Sequence, residues 1–344
     1  MSIQLPLPPH YDPSKVVDAE RWLKYDSLQD AAIKWRNQHG LKAASKDRDK
    51  IGLLVIDAQN SFVHPQGELF VGGQSGTGAI DDTRRLVEFL YANIGVISGV
   101  SCTLDTHRAY AIFHPTFLVN EEGENPAPYT MVSHQDVVDG VWKASPFMAS
   151  ALGVNLMAAQ SHLDHYTKAL EVAGRYQLTI WPYHVMLASK GHTLASGLEE
   201  ACFFHSIARG AQTHFEVKGT HPFTENYSVL GPEVLTTTED KALPGAQRNA
   251  GFIKQLLEYD KLIIAGQAKS HCVAWSIDDL LQDIVQTDPE LAKKVYLLED
   301  CTSPVVIPGV YDYTDDANAA FERFRDAGMH VVQSTDTIDD WPIG

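Results

Sequence analysis

Six short apolar runs alternate with helical patterns along the chain, and this alternation is the feature that most restricts the possible folds. The runs are IGLLVID at 51–57, VSCTLD at 100–105, HFEVKG at 214–219, KLIIAG at 261–266, KVYLLED at 294–300 and MHVVQS at 329–334. Strands that alternate with helices form parallel sheets, because each parallel connection needs a crossover that is usually a helix. The sequence therefore predicts an α/β fold with a doubly wound, six-stranded, mainly parallel sheet and helices on both faces.

Two segments lie outside this pattern. Residues 1–50 start rich in proline and then show helical pieces, which predicts an N-terminal helical arm packed on a main domain of residues 51–344. An insertion at about 116–180 interrupts the main domain, and its SHLDHYTKALEVAG stretch predicts a helix that starts with a capping box at Ser161 and stops at Gly174.

The charge balance limits the possible partners. The chain has 44 acidic and 27 basic residues, a formal net charge of −17. Such a charge repels phosphate backbones and anionic lipid surfaces, so we expect neither a nucleic-acid nor a membrane partner. The chain has no run of 18 apolar residues, and its first residues lack the basic and apolar regions of a signal peptide, so we expect a cytoplasmic protein.

The four cysteines form no CxxC pair and are expected to be free thiols.

Reactive side chains follow four of the six predicted strands. Asp57 ends the first, Asp105 and His107 end the second, Lys218 ends the third, and the fourth runs into a turn that holds Cys272. In an open parallel sheet, ligands bind beyond the carboxyl ends of the strands. A thiolate at a helix start is stabilised by the backbone N–H groups, and a nearby cation lowers its pKa further. The alternatives are that polar residues simply cap these strands and that Cys272 is a small buried core residue.

Five motifs occur in a fixed order: DAQNSF at 57–62, DTH at 105–107, WPYH at 181–184, KGTHPFTENYS at 218–228 and GQAKSHCV at 266–273. In these motifs and their order, the chain resembles the isochorismatase-like cysteine hydrolases, and among them the nicotinamidase (pyrazinamidase) branch. The resemblance covers residues 51 to about 335, apart from most of the insertion. It implies a hydrolase of carboxamide C–N bonds that converts nicotinamide to nicotinate and ammonia through a thioester.

The resemblance also implies a role for each catalytic residue. Cys272 would attack the amide carbonyl, Asp57 would take the thiol proton and pass it to the leaving ammonia, and Lys218 would stabilise the charged pair. The chemistry requires such groups, because a neutral thiol is a poor nucleophile and ammonia is a poor leaving group. The backbone N–H groups of Ala268 and Cys272 would form an oxyanion hole, with a cis peptide bond before Ala268.

A metal and a ring pocket are implied in the same way. Asp105, His107 and His184 would bind one divalent ion, with His114 as a further candidate. A carboxylate with imidazoles suits zinc, which we expect first, and also iron or manganese. Phe62, Trp181 and Tyr227 match the residues that sandwich the substrate ring. Phe62 and Tyr227 could equally be core aromatic residues, whereas the position of Trp181 beside the expected ligand His184 favours contact with the substrate.

The chain also departs from the family pattern. Ser270 and His271 stand where family turns often have an acidic and an aromatic residue, and the insertion separates two metal motifs, where it could form a lid, reshape the pocket or bury a subunit contact. Two alternatives therefore stay open: the same chemistry on another carboxamide or carbamoyl substrate, and a catalytically silent binding or assembly protein. By the same resemblance, we expect a small-molecule amide substrate and a homo-oligomer.

Overall fold

The fold is built on a fully parallel sheet, in agreement with the α/β prediction. A computed structural model describes residues 4–239 and 241–341. The sheet strands are β1 Ile51–Ile56, β2 Ile97–Asp105, β3 His214–Lys218, β4 Lys261–Gly266, β5 Val295–Leu298 and β6 His330–Val332. They lie in the order β6-β5-β4-β1-β2-β3, and every neighbouring pair is parallel. All six predicted strands are therefore confirmed.

Helices cover both faces of this sheet. Those of the described residues are α1 Tyr25–His39, α2 Asn60–Val63, α3 Gly78–Ala92, α4 His134–Val138, α5 Pro146–Ala151, α6 Leu156–Val172, α7 Ser196–Arg209, α8 Ala250–Leu257, α9 Ala274–Thr287 and α10 Thr314–Asp326. Alternate residues of β1 enter two separate cores: Leu54 and Ile56 pack with α9 and α10, whereas Leu53 and Val55 pack with α3 and α7. Burial on both faces explains why β1 is apolar at every position. Across the described ranges, no helix is both long and apolar enough to cross a membrane.

The strand order locates a crevice. The chain winds outward from β1 in one direction through β2 and β3 and in the other through β4, β5 and β6. At this reversal, the loops after β1 and β4 turn to opposite faces and leave a space beyond the carboxyl ends of the strands. β1 leads into Asp57, and β4 leads into a single π-helical turn, Lys269–Val273, which continues as α9. We call Lys269–Val273 the cysteine turn.

The N-terminal segment packs on the same chain. The Leu5 N–H donates to the carbonyl of Ala92 at the end of α3 (2.8 Å), and helix α1 lies against α7. Arg21, which is partly buried, forms an ion pair with the buried Glu200 of α7.

Residues 116–180 form helices α4, α5 and α6 and two short antiparallel strand pairs, Leu118–Val119 with Lys143–Ala144 and Met131–Val132 with Leu178–Thr179. Helix α6 starts at Leu156, so the predicted start at Ser161 is wrong. The cap is Asn155, whose side chain accepts the Met157 N–H (2.8 Å), and this places Ser161 inside the helix. The predicted stop holds, since Gly174 follows the helix with φ +64°.

Candidate active site

The three candidate catalytic residues meet beyond the sheet. The Lys218 Nζ lies 3.0 Å from Asp57 Oδ2 and 3.5 Å from Cys272 Sγ, and it also donates to the Asn226 carbonyl (2.8 Å). All three residues are buried, and they come from the ends of three different strands. The sheet therefore brings together residues that lie 161 and 54 positions apart, by 218 − 57 and 272 − 218.

The Asp57 carboxylate is oriented by a threonine of β2. The Thr103 hydroxyl donates to Asp57 Oδ1, and its oxygen accepts the Asp57 N–H (3.0 Å). Asp57 has φ +45°, a left-handed conformation that is uncommon outside glycine, and the bond to its N–H helps to hold it. With Oδ1 occupied, Oδ2 is the oxygen that faces Lys218.

Burial shifts the pKa values of all three groups, and it decides the direction for Asp57 and Cys272. It raises the pKa of Asp57, although the Lys218 charge opposes this effect. It would lower the pKa of Lys218, but the carboxylates of Asp105 and Asp57 outweigh it, so the lysine pKa is raised and the ammonium stays charged. Burial also raises the pKa of Cys272, and the expectation of a lowered thiol pKa is wrong because Lys218 offsets only part of this cost. The thiol therefore needs a base to become a nucleophile.

The peptide bond Gln267–Ala268, just before the cysteine turn, is cis, as the resemblance implies. Gly266 precedes it with φ +119°, and an added Cβ would lie 2.0 Å from the Ile56 carbonyl oxygen. Only glycine fits at this point, since β1 and the turn approach each other so closely.

Three buried histidines form a group that could hold a metal ion. One ligand atom from each of His107, His114 and His184 lies within 4.8 Å of the others. The His184 Nδ1–H donates to the Pro182 carbonyl (2.7 Å), which leaves Nε2 as a ligand atom. Among the described residues, neither ring nitrogen of His114, nor Nδ1 of His107, has a hydrogen-bond partner of normal geometry. Burial lowers the pKa of His184 and lowers that of His114 to about 3, so both are neutral, as metal ligands must be. These residues fit a divalent metal.

Asp105 lies between this histidine group and the catalytic residues. Its Oδ1 is 3.1 Å from His107 Nε2 and 3.3 Å from Lys218 Nζ. Burial acts to raise the pKa of Asp105, but the neighbouring His107 and Lys218 side chains lower it. An added Cβ on Gly219 would lie 2.3 Å from this oxygen, so the glycine permits the close approach. Asp105 is not a member of the histidine group, and its role as a metal ligand stays a prediction.

The first motif connects these parts through side chains whose roles the sequence did not reveal. Gln59 exchanges two hydrogen bonds with the backbone of Asp105: its Nε2 donates to the carbonyl (2.9 Å) and its Oε1 accepts the N–H (2.8 Å). The Ser61 hydroxyl oxygen accepts the N–H of Val185, next to His184 (2.9 Å). The first motif thus connects the segment of Asp105 with the segment of His184.

A cavity of about 30 Å³ adjoins the thiol. Its lining includes the predicted ring-binding residues and oxyanion-hole residues Phe62, Trp181, Tyr227, Ala268 and Cys272, with Asp105 and His184. Trp181 Nε1 donates to the Tyr227 hydroxyl (3.1 Å). The space has room for about one or two water molecules, so a substrate ring requires the lining side chains to move.

Two further ionisable residues line this cavity, Glu225 and His271, and neither was predicted as a site residue. Burial, reinforced by the charge of Glu233, raises the pKa of Glu225. Burial lowers the pKa of His271 to about 3, and its Nδ1 lies 2.8 Å from the Ser270 hydroxyl. Sequence spacing identifies neither residue, because the loops that aim them at the cavity have no periodic pattern.

The chain was compared with known proteins. No family model and no curated protein matches it. Among solved structures, the yeast nicotinamidase Pnc1p bound to the inhibitor nicotinaldehyde matches with a TM-score of 0.50 and 17% identity over 82% of this chain and 99% of that chain. An Acinetobacter baumanii nicotinamidase matches with a TM-score of 0.49 and 18% identity over 85% of this chain and 99% of that one. The chain therefore has the isochorismatase-like fold of the nicotinamidases.

Proposed function

We propose that this chain is a metal-containing cysteine amidohydrolase that hydrolyses nicotinamide to nicotinate and ammonia through a thioester on Cys272. The observation that carries the proposal is the contact of the Lys218 ammonium with both the Asp57 carboxylate and the Cys272 thiol beside a small cavity. The fold and the five ordered motifs support the same activity.

In the first half-reaction, the Cys272 thiol proton moves to Asp57 and the sulfur bonds to the amide carbonyl carbon. The carbonyl oxygen becomes an oxyanion, which the Ala268 and Cys272 N–H groups would stabilise. When the oxyanion collapses, the C–N bond breaks, and Asp57 gives its proton to the nitrogen, which leaves as ammonia. Burial raises the pKa of Asp57, so its carboxylate is a stronger base for this task than an exposed one.

In the second half-reaction, water attacks the thioester. Asp57 accepts a proton from the water as the C–O bond forms, and collapse of the second oxyanion breaks the C–S bond. Asp57 then returns the proton to the Cys272 sulfur, and the product acid leaves. Lys218 keeps its charge throughout and stabilises each negatively charged state of the acid and the thiol.

His107, His114 and His184 would hold the divalent ion, with Asp105 beside them. A bound ion of this kind supplies a Lewis acid that can bind a ring nitrogen and orient the substrate. Three imidazoles suit zinc first, and iron or manganese also fit.

The test is ammonia release from nicotinamide by metal-analysed protein, compared with Cys272→Ala and with Cys202→Ala. Cys202 is also buried but lies on α7, away from the cavity. We expect release by the wild type and by Cys202→Ala, and none by Cys272→Ala with its metal content unchanged. An active Cys272→Ala variant would refute the mechanism.

The same samples separate the alternatives. Release of ammonia from another carboxamide or a carbamoyl compound, but not from nicotinamide, would keep the chemistry and change the substrate. A Cys272 that neither supports release nor reacts with an alkylating amide faster than the other three thiols would indicate a silent binding protein.

A further inference from the structure

Two consecutive residues of the insertion, Arg175 and Tyr176, follow helix α6 and contact the catalytic region. The Tyr176 hydroxyl donates to the Ser270 carbonyl inside the cysteine turn (3.1 Å). Its ring lies 4.9 Å from the His271 ring and 6.3 Å from the Tyr227 ring, between centroids. One residue of the insertion therefore contacts the turn that carries Cys272 and the wall of the cavity.

Arg175 ties the same point to helix α9. Its Nη2 lies 2.9 Å from Asp279 Oδ1, and its guanidinium carbon lies 4.2 Å from the centre of the Trp275 ring. Its Nη1 lies 3.5 Å from Glu233, whose other oxygen accepts the Tyr227 N–H (3.3 Å). Arg175 is mostly buried, so its ion pair with Asp279 is poorly screened and holds the end of α6 against α9.

The rest of the insertion is anchored as well. Its buried side chains, among them Leu163, Tyr166 and Leu170, share one hydrophobic core with β4 and α9. A hinged lid would need a boundary that few packed contacts cross, whereas this core is continuous across the junction.

We propose that Arg175 and Tyr176 are positioning residues through which the insertion holds the cysteine turn in its reactive conformation. The insertion is then a brace for the nucleophile. This inference rests on the proposed function only for its effect on turnover, because the bracing itself concerns the turn and not the substrate. The Tyr176 hydroxyl bond is its most specific part, since a backbone carbonyl of the turn depends on a side chain from outside the motifs.

The first measurement is hydrogen exchange of the peptide at 266–281 in Tyr176→Phe, a change that keeps the ring packing and removes one hydrogen bond. The matched control is Tyr11→Phe, which removes a hydroxyl bond between the N-terminal segment and Glu88 of α3 (2.9 Å), away from the turn. We expect exchange of this peptide to rise about fivefold in Tyr176→Phe and to stay at the wild-type value in the control. Equal exchange in both variants would overturn the proposal.

The second measurement is turnover, normalised to the amount of titrated Cys272 thiol so that misfolded molecules do not count. We expect Tyr176→Phe to lower kcat about fivefold and to leave KM within about twofold, because a displaced nucleophile affects the reaction more than substrate binding. An unchanged kcat, or a higher KM at constant kcat, would contradict positioning. If the wild type releases no ammonia, the proposed function fails, and the exchange comparison alone decides whether the brace exists.

Discussion

Replacing Lys218 by methionine tests the electrostatics of the candidate active site most directly. The side chain is buried, and its ammonium is the cation that lies 3.0 Å from Asp57 and 3.3 Å from Asp105. Methionine fills a similar volume but leaves two buried carboxylates without this partner. Removing one member of a buried ion pair typically costs about 3–5 kcal/mol, because the remaining charge is neither hydrated nor paired. We expect a loss in this range, together with loss of turnover.

The loss should depend on pH. Burial already raises the pKa of Asp57 in the folded protein, and without Lys218 this pKa rises further. The pKa of Asp105 also rises, because Asp105 loses one of the charges that lower it. An acid with a raised folded-state pKa binds more protons when folded, so stability falls as the pH rises from the unfolded pKa towards the folded one. The free energy of unfolding of Lys218→Met should therefore lie closer to that of the wild type in acid than at neutral pH.

A double variant separates charge from packing. Lys218→Met with Asp57→Asn removes a cation and an anion together, so it should be more stable than Lys218→Met alone while remaining inactive. Lys269→Met is the matched control, because Lys269 is also buried but its Glu299 partner is one-third exposed and can be hydrated. Urea unfolding in acid and at neutral pH measures all four proteins. A Lys218→Met loss no larger than that of Lys269→Met, or the same at both pH values, would refute this account of the site.

Three further predictions concern the histidine group and the buried acids. Gly219→Ala should lower metal content and activity much more than Gly210→Ala, as measured by metal analysis and ammonia release. Both glycines have positive φ, but only Gly219 lies against Asp105. Equal effects of the two substitutions would contradict the argument that Gly219 permits the close approach of Asp105. His114→Ala should reduce bound zinc at least about tenfold if His114 is a ligand, and unchanged zinc content would remove it from the set. Burial raises the pKa of Glu233 to about 7, so the folded state holds a proton that the unfolded state loses above about pH 4.5, and wild-type stability should fall between these pH values. The stability of Glu233→Gln, measured by thermal unfolding, should decrease less than that of the wild type over this pH range. An unchanged pH dependence would show that Glu233 does not titrate in this range.

Much of the fold could be read from the sequence because its information is local and repeated. Each of the six strands is a short apolar run, and burial on both faces requires such runs wherever a parallel strand lies. The motif residues Asp57, Lys218 and Cys272 could be placed at one edge of the sheet, since parallel strands all end on the same side. The start of α6 was placed wrongly because Ser161 and Asp164 have capping-box spacing, yet Asn155 supplies the cap in three dimensions.

Features that depend on contacts between distant segments could not be predicted from the sequence. The raised pKa of Cys272 results from burial by several segments, and a helix start with a nearby lysine predicts the opposite direction. The histidine group also differs from the motif-based ligand set, because it contains His114 and does not contain Asp105. The loop after β2 folds His114 back against His107 and His184.

The sequence by itself determined the parallel sheet, the order of the motifs and the identity of the residues at the strand ends, because strand periodicity and motif spacing are properties of neighbouring positions. Only the tertiary structure decided which oxygen of Asp57 faces Lys218, how deeply the Cys272 thiol is buried and where the insertion contacts the cysteine turn. These features depend on the packing of segments more than 40 residues apart, as between Asp57 and Thr103 or between Tyr176 and Ser270, and no local pattern encodes them.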